Sequence, residues 1–126
     1  MARILIIDDD PRFLGWLRET LEDAGYQVAV ARDGSAGISE FDRTPADLVI
    51  TDIIMPDKEG IETIYELHRD HPDLPIVAVS GGSVKGVGSY LPTARALGAV
   101  STLEKPVSRT LLLETVRSLL TPHAGS

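Results

Sequence analysis

The chain contains no cysteine, which excludes a disulfide framework and thiol chemistry. It also lacks any apolar run long enough to cross a bilayer, and no signal-peptide pattern follows Met1. Basic residues are the minority, 12 against 19 acidic ones, and the net charge of −7 disfavours binding to nucleic acid or to an anionic membrane surface. These absences predict a cytoplasmic globular protein that binds neither nucleic acid nor membrane.

The 126 residues suffice for one domain with a single core. Short apolar runs, bounded by turn residues, alternate with segments of helical period, which is typical of parallel strands buried on both faces and covered by helices. The strand candidates are Ile4–Ile7, Gln27–Ala31, Leu48–Thr51, Ile76–Val79 and the weaker Val100–Leu103. The helix candidates are Pro11–Ala24, with Asp10 as its N-cap, and segments near 34–43, 61–68, 90–97 and 108–120. The pattern predicts an α/β fold with five strands and five helices.

Polar side chains follow several of these strands. Asp8 and Asp9 come after the first strand, Asp52 after the third, Ser80 after the fourth, and Lys105 after the fifth. Because the carboxyl ends of parallel strands share one edge, where ligands bind, we expect these side chains to converge.

Three crowded carboxylates repel each other unless a cation relieves them. Oxygen ligands with no histidine or cysteine nearby favour a hard ion such as Mg²⁺. A carboxylate held against Mg²⁺ and the Lys105 ammonium can act as a nucleophile toward phosphorus. Together with the Ser80 hydroxyl, these groups would neutralise the oxygens of a phosphoryl group in transfer.

In this combination the chain resembles a response-regulator receiver domain of two-component signalling over essentially its whole length. The residues that carry the resemblance are Ile6-Ile7-Asp8-Asp9-Asp10, Asp52-Ile53-Ile54-Met55-Pro56 with Gly60, Val79-Ser80-Gly81, and Gly98-Ala99 leading to Lys105-Pro106. The resemblance implies a doubly wound, flavodoxin-like sandwich with strand order 2-1-3-4-5.

By this resemblance Asp52 is the phosphoacceptor. Asp9 is similar to the direct metal ligand and Asp8 to the ligand that acts largely through water. The Ile54 backbone carbonyl would be the third protein ligand of Mg²⁺. Ser80 takes the position of the switch hydroxyl, and Lys105, preceding a cis bond to Pro106, pairs with the phosphoryl group.

Two positions depart from the usual pattern of the family. Thr102 stands three residues before the lysine, where receivers usually carry Tyr or Phe. In the family this ring swings inward when the switch hydroxyl moves. With threonine at this position, inward movement of an aromatic ring cannot transmit a movement of the Ser80 hydroxyl. The stretch after Ser80 is also rich in glycine, at positions 81, 82, 86 and 88.

The resemblance implies a signalling switch that is not a turnover enzyme. A histidine kinase or phosphotransfer protein would phosphorylate Asp52, and the domain would then change its affinity for a downstream protein. The contact surface would be the face made by the last two helices and the strand between them. We expect residues 1–121 to form the receiver domain, as a monomer or a weak phosphorylation-dependent dimer, and residues 122–126 to be a disordered tail.

Two alternatives remain open from the sequence. A haloacid-dehalogenase-type phosphatase carries Asp-x-Asp after an apolar strand, and Asp8 and Asp10 superficially match that pattern. Such an enzyme also needs a later acidic pair, where this chain has glycines after Ser80. A pseudo-receiver that serves only as a docking module is compatible with Thr102, although the complete acidic set argues against it.

Overall fold

The structure, a computed structural model, describes residues 2–53, 60–80 and 98–120. Within them lie five strands: β1 (Arg3–Ile7), β2 (Gln27–Ala31), β3 (Leu48–Asp52), β4 (Ile76–Ser80) and β5 (Ser101–Glu104). They alternate with four helices: α1 (Pro11–Asp23), α2 (Gly34–Arg43), α3 (Gly60–Asp70) and α4 (Arg109–Leu120).

All strands are parallel and form one sheet in the order β2-β1-β3-β4-β5. This confirms the predicted doubly wound architecture and the strand order. The helix predicted near 90–97, the glycine-rich stretch from 81 to 88 and the tail 122–126 lie outside the described residues. The four helices of the described part match the other four predictions.

The alternation of side chains along each strand divides the core into two layers. On one face, residues such as Leu5, Val49 and Ala78 pack with Phe41 of α2 and Ile64 of α3. On the other face, Ile4, Ile6, Leu48, Ile50, Val77 and Val79 pack with Leu14, Leu17 and Leu21 of α1 and with Leu112 and Val116 of α4. All five residues of β3 are buried, as expected for the central strand of a sheet covered on both faces.

Helix α1 begins where the sequence predicts. The Asp10 side chain accepts a hydrogen bond from the Arg12 N–H at 3.0 Å, and Pro11 occupies the first helical turn. After the helix ends, Gly25 has φ of 98°, a conformation that glycine adopts without steric cost. This geometry fixes the start of α1 directly beside the end of β1.

The register of the sheet brings the strand ends to one edge. Ile7 pairs with Thr51, so the residues that follow β1 lie next to Asp52. Asp52 in turn pairs with Val79, and Ser80 pairs with Glu104. Among the described residues no helix has the length and apolar character needed to cross a membrane.

Candidate functional site

Three carboxylates meet at the carboxyl edge of the sheet. Asp8 and Asp9 follow β1, and Asp52 ends β3. One carboxylate oxygen from each residue can be chosen so that all three lie within 4.8 Å of one another. Asp8 and Asp52 are buried, with 1% and 5% of their surface exposed, whereas Asp9 is exposed. The predicted convergence of these three residues is confirmed.

Lys105, which directly follows the outer strand β5, completes this cluster. Its backbone N–H donates to the Ser80 carbonyl at 2.9 Å, which extends the β4–β5 pairing by one residue. Its Nζ lies 3.1 Å from Asp8 Oδ2 and 3.6 Å from Asp52 Oδ2. The peptide bond to Pro106 is cis, as predicted. One ammonium therefore bridges two buried carboxylates.

The surroundings of the Asp8 carboxylate disfavour its ionised form. Burial raises its pKa above the ordinary aspartate value, and the neighbouring charge of Asp9 adds to that effect. A hydrogen bond from the Asp10 N–H to Asp8 Oδ1, at 2.8 Å, and the Lys105 ammonium oppose the rise without cancelling it. The net result is a carboxyl group that holds its proton more tightly than an ordinary aspartate does.

The cluster fits a hard divalent cation. Asp8 Oδ2 is buried and makes no well-aligned hydrogen bond with the described residues, although it lies in ion-pair range of Lys105. A buried anionic oxygen beside two further carboxylates, with no histidine or cysteine in the group, is a donor set that suits Mg²⁺. The Ile54 carbonyl, the predicted third protein ligand, lies outside the described residues.

Ser80 lies at the same edge as the carboxylates. It is the last residue of β4, one position beyond the partner of Asp52, and it is half-buried. Its backbone carbonyl accepts the Lys105 N–H, as described above, so the Ser80 backbone is joined to the lysine of the cluster.

Asp10 has a different environment from its two neighbours. Its carboxylate accepts from the Arg12 N–H as the cap of α1, and among the described residues it is not part of the metal-sized group. A phosphatase with an Asp-x-Asp motif needs the second aspartate in its active site. In this chain that residue is Asp10, which caps α1 instead.

Two contacts of the site were missed by the sequence analysis. The Phe13 ring, assigned only to the apolar stripe of α1, lies with its centroid 4.2 Å from Lys105 Nζ. Gly60, the first residue of α3, lies against the backbone of Asp52. The available signal for Phe13 was its place in the first turn of α1, which begins two residues after Asp9.

Comparison with known proteins agrees with this geometry. The response regulator receiver domain pattern matches residues 4–117. The transcriptional regulatory protein GlrR of Escherichia coli K12 is 31% identical over 124 residues, which are 98% of this chain and 27% of that protein. Protein PilH of Pseudomonas aeruginosa is 33% identical over 122 residues, covering 95% of this chain and 98% of PilH.

A solved structure gives the same result in three dimensions. The response regulator protein TrrA of Thermotoga maritima, in complex with Mg²⁺-BeF, superimposes with a TM-score of 0.85 at 31% identity and covers 95% of this chain and all of that one. The chain spans only about a quarter of GlrR, so the activity of that whole protein does not carry over. A receiver pattern over nearly the full length, the strand order and the acidic edge agree: this chain belongs to the response regulator receiver domain family of two-component signalling.

Proposed function

We propose that this chain is a phosphorylation-activated switch in which Asp52 accepts a phosphoryl group from a histidine kinase or a phosphotransfer protein. The observation that carries the proposal is the position of the Asp52 carboxylate, buried at the sheet edge with Lys105 Nζ 3.6 Å away and two further carboxylates beside it. A carboxylate in such surroundings is held in one orientation and is shielded from bulk water.

In the proposed transfer, an Asp52 carboxylate oxygen forms a bond to phosphorus while the bond from phosphorus to the donor atom breaks. The donor atom keeps the electron pair of the broken bond: a histidine nitrogen is then protonated from solvent, whereas the acyl group of a small acyl phosphate leaves as a carboxylate. Asp52 becomes a mixed anhydride whose three terminal phosphoryl oxygens share about two negative charges. Lys105 is close enough to pair with one of these oxygens once it leaves Asp8 or Asp52.

Asp8, Asp9 and Asp52 would hold Mg²⁺, with Asp9 as a direct ligand and Asp8 acting largely through water. When bound, Mg²⁺ would supply the positive charge that lets an anionic phosphate approach three carboxylates. The exposure of Asp9 leaves its carboxylate accessible from solvent, whereas buried Asp8 orients the Asp10 N–H and Lys105.

The signal is proposed to leave the site through Ser80 and Lys105, which share a backbone hydrogen bond at the end of β4. Thr102 of β5 is half-buried and pairs with Ala78, so this position has no aromatic ring to change its burial. The proposed contact surface is the face of the helix predicted near 90–97, of α4 and of β5 between them. Val100 and Leu111, beside and within these elements, are 50% and 49% exposed, which supports an apolar contact there.

The proposed unit is residues 1–121, as a monomer or a weak phosphorylation-dependent dimer, with a short tail at 122–126. The receiver family is one of signalling switches, and no turnover activity is proposed. The phosphatase alternative loses support because Asp10 caps α1. The pseudo-receiver alternative predicts that no phosphoryl group reaches Asp52.

The experiment is labelling of the purified chain with acetyl phosphate, followed by intact-mass measurement with and without Mg²⁺. We expect one phosphoryl group per chain, dependent on Mg²⁺ and lost in Asp52→Asn. Asp10→Asn is the matched control, since it makes the same charge change nearby and asparagine is as good an N-cap as aspartate.

Equal labelling of Asp52→Asn and the wild type would refute the assignment of the acceptor. Absence of label from the wild type in saturating Mg²⁺ would favour the pseudo-receiver. Steady release of phosphate from para-nitrophenyl phosphate that depends on Asp8 and Asp10, with no dependence on Asp52, would establish the phosphatase instead.

A further inference from the structure

The Lys105 ammonium is enclosed on two sides by groups of different chemistry. The carboxylates of Asp8 and Asp52 lie 3.1 and 3.6 Å from Nζ on one side. The centroid of the Phe13 ring lies 4.2 Å from the same atom. Only 19% of the Lys105 side chain is exposed.

Phe13 is held by its place on α1. It is the third residue of the helix, in the first turn after the Asp10 cap, and it is half-buried. The Trp16 ring stacks against it at 6.0 Å with an interplanar angle of 22°. This stacked partner limits the rotation of the Phe13 ring. Both rings also pack against the core layer that contains Leu14 and Leu17 of α1.

A cation close to the face of an aromatic ring is attracted by the ring quadrupole, and the attraction grows as water is excluded. An aliphatic side chain of similar volume would keep the apolar contact and lose this attraction. A lysine has a flexible four-carbon stem, so a contact that restricts the position of its ammonium changes how often Nζ is near Asp52.

We infer that Phe13 is a positioning residue for Lys105 in the phosphorylation of Asp52, and that it acts through a cation–π contact with the ammonium. This inference rests on the proposed function of Asp52. The ring keeps Nζ close to both carboxylates. The ammonium is therefore already in position when a phosphoryl oxygen arrives at Asp52, and the lysine side chain does not have to be ordered during the transfer. Phe13 itself contacts Lys105 and none of the reacting atoms.

The experiment compares Phe13→Leu with Phe13→Tyr, which retains an aromatic ring, each in the wild type and in a Lys105→Met background. The measured quantity is the initial rate of acetyl phosphate labelling at saturating Mg²⁺. We expect Phe13→Leu to be slower than wild type by about five-fold, the effect of a partly buried cation–π contact. Phe13→Tyr stays within about two-fold of the wild type for the same reason.

The Lys105→Met background separates positioning from packing. If Phe13 acts through the ammonium, Phe13→Leu causes no further loss of rate once the ammonium is gone. Phe41→Leu is the matched control, because it makes the same substitution in the opposite core layer and should leave the labelling rate unchanged. The Mg²⁺ affinity of each variant, measured by isothermal titration calorimetry, sets the Mg²⁺ concentration at which its labelling rate is compared, so that a change in metal binding does not enter the rate.

A double-mutant cycle of the wild type, Phe13→Leu, Lys105→Met and the double variant is also measured by urea unfolding, without Mg²⁺ or phosphodonor. We expect the unfolding equilibrium constants to show a coupling of about two- to five-fold between Phe13 and Lys105. Additive unfolding effects, a Phe13→Leu rate equal to the wild type, or an equal slowing in the Lys105→Met background would each overturn the inference. If the wild type takes no label, the proposed function and the positioning role both fail, whereas the unfolding cycle still reports whether the contact exists.

Discussion

Gly60 lies directly against the backbone of Asp52. A Cβ added to Gly60 would be 1.9 Å from the Asp52 carbonyl oxygen and 2.4 Å from Ile53 Cα. Both neighbours are backbone atoms at the end of the buried central strand, so neither can rotate away as a flexible side chain would. The close approach of α3 to the end of β3 therefore requires glycine at this position.

Gly60→Ala should destabilise the protein by about 2 kcal/mol or more, since the helix start or the strand end must move to admit the methyl group. The measurement is urea unfolding. Gly15→Ala is the matched control, because Gly15 is exposed within α1 and a Cβ there would meet nothing within 4 Å. That control should be stabilised by about 0.5–1 kcal/mol. Equal effects of the two substitutions would contradict the close contact.

Mg²⁺ should stabilise the folded chain by binding to the acidic cluster. At a concentration 100 times its Kd, the expected gain in the free energy of unfolding is about 2.7 kcal/mol. Asp9→Asn should lose most of this gain, and Asp10→Asn should keep it, because Asp9 belongs to the cluster and Asp10 does not. Urea unfolding with EDTA or with Mg²⁺ measures both. A gain that persists in full in Asp9→Asn would place the ion elsewhere.

Asp8→Asn should stabilise the Mg²⁺-free protein at neutral pH. Burial raises the pKa of Asp8, so the folded state binds its proton more tightly than the unfolded state does. The contribution of Asp8 to stability is therefore complete below the unfolded pKa of about 3.9 and is lost as the pH rises through the higher folded value. Asparagine does not ionise and avoids this loss.

The check is urea unfolding of the wild type and Asp8→Asn in EDTA across the acid and neutral range. The advantage of the variant should be largest near neutral pH and should shrink as the pH falls toward the ordinary aspartate value. A variant that is less stable than the wild type at neutral pH would show that the ion pair with Lys105 outweighs the cost of burial.

Lys105→Met should have opposite effects on labelling and on metal binding. Without the ammonium 3.6 Å from Asp52, the rate of labelling by acetyl phosphate should fall by at least about ten-fold. The affinity for Mg²⁺ should rise, because Lys105 no longer competes for Asp8. Arg12→Met, which removes an exposed cation near the start of α1, is the control for net charge. Parallel losses of labelling and Mg²⁺ affinity would indicate a general disruption of the site.

The strands were predictable because buried parallel strands are continuous apolar runs that end in turn residues. The weakest run was predicted with an error at its start: Val100 was included in the last strand, whereas β5 begins at Ser101 and Val100 is 50% exposed. At an edge strand the sheet has a neighbour on one side only, so burial no longer separates strand residues from their flanks. The apolar side chain of Val100 carried no information about that difference.

The acidic site was predictable for a geometric reason. In a parallel sheet the residue after each strand lies at the same edge, so Asp8, Asp9, Asp52 and Lys105 could be brought together from their positions in sequence. Contacts that depend on how helices pack were not predictable in this way. The ring of His68, for example, lies against Gly98, where a Cβ would be 2.4 Å from its Cγ, and the spacing of α3 gives no sign of it.

The element types, the parallel sheet and the set of polar residues at its edge follow from the amino-acid sequence, because they depend on local periodicity and chain direction. The burial of Asp8 beside exposed Asp9, the bridge from one lysine to two carboxylates and the contact of Phe13 with its ammonium arise only when the chain is folded. Those relationships join residues far apart in the chain, and the packing of α1 and β5 on the sheet sets the distances between them.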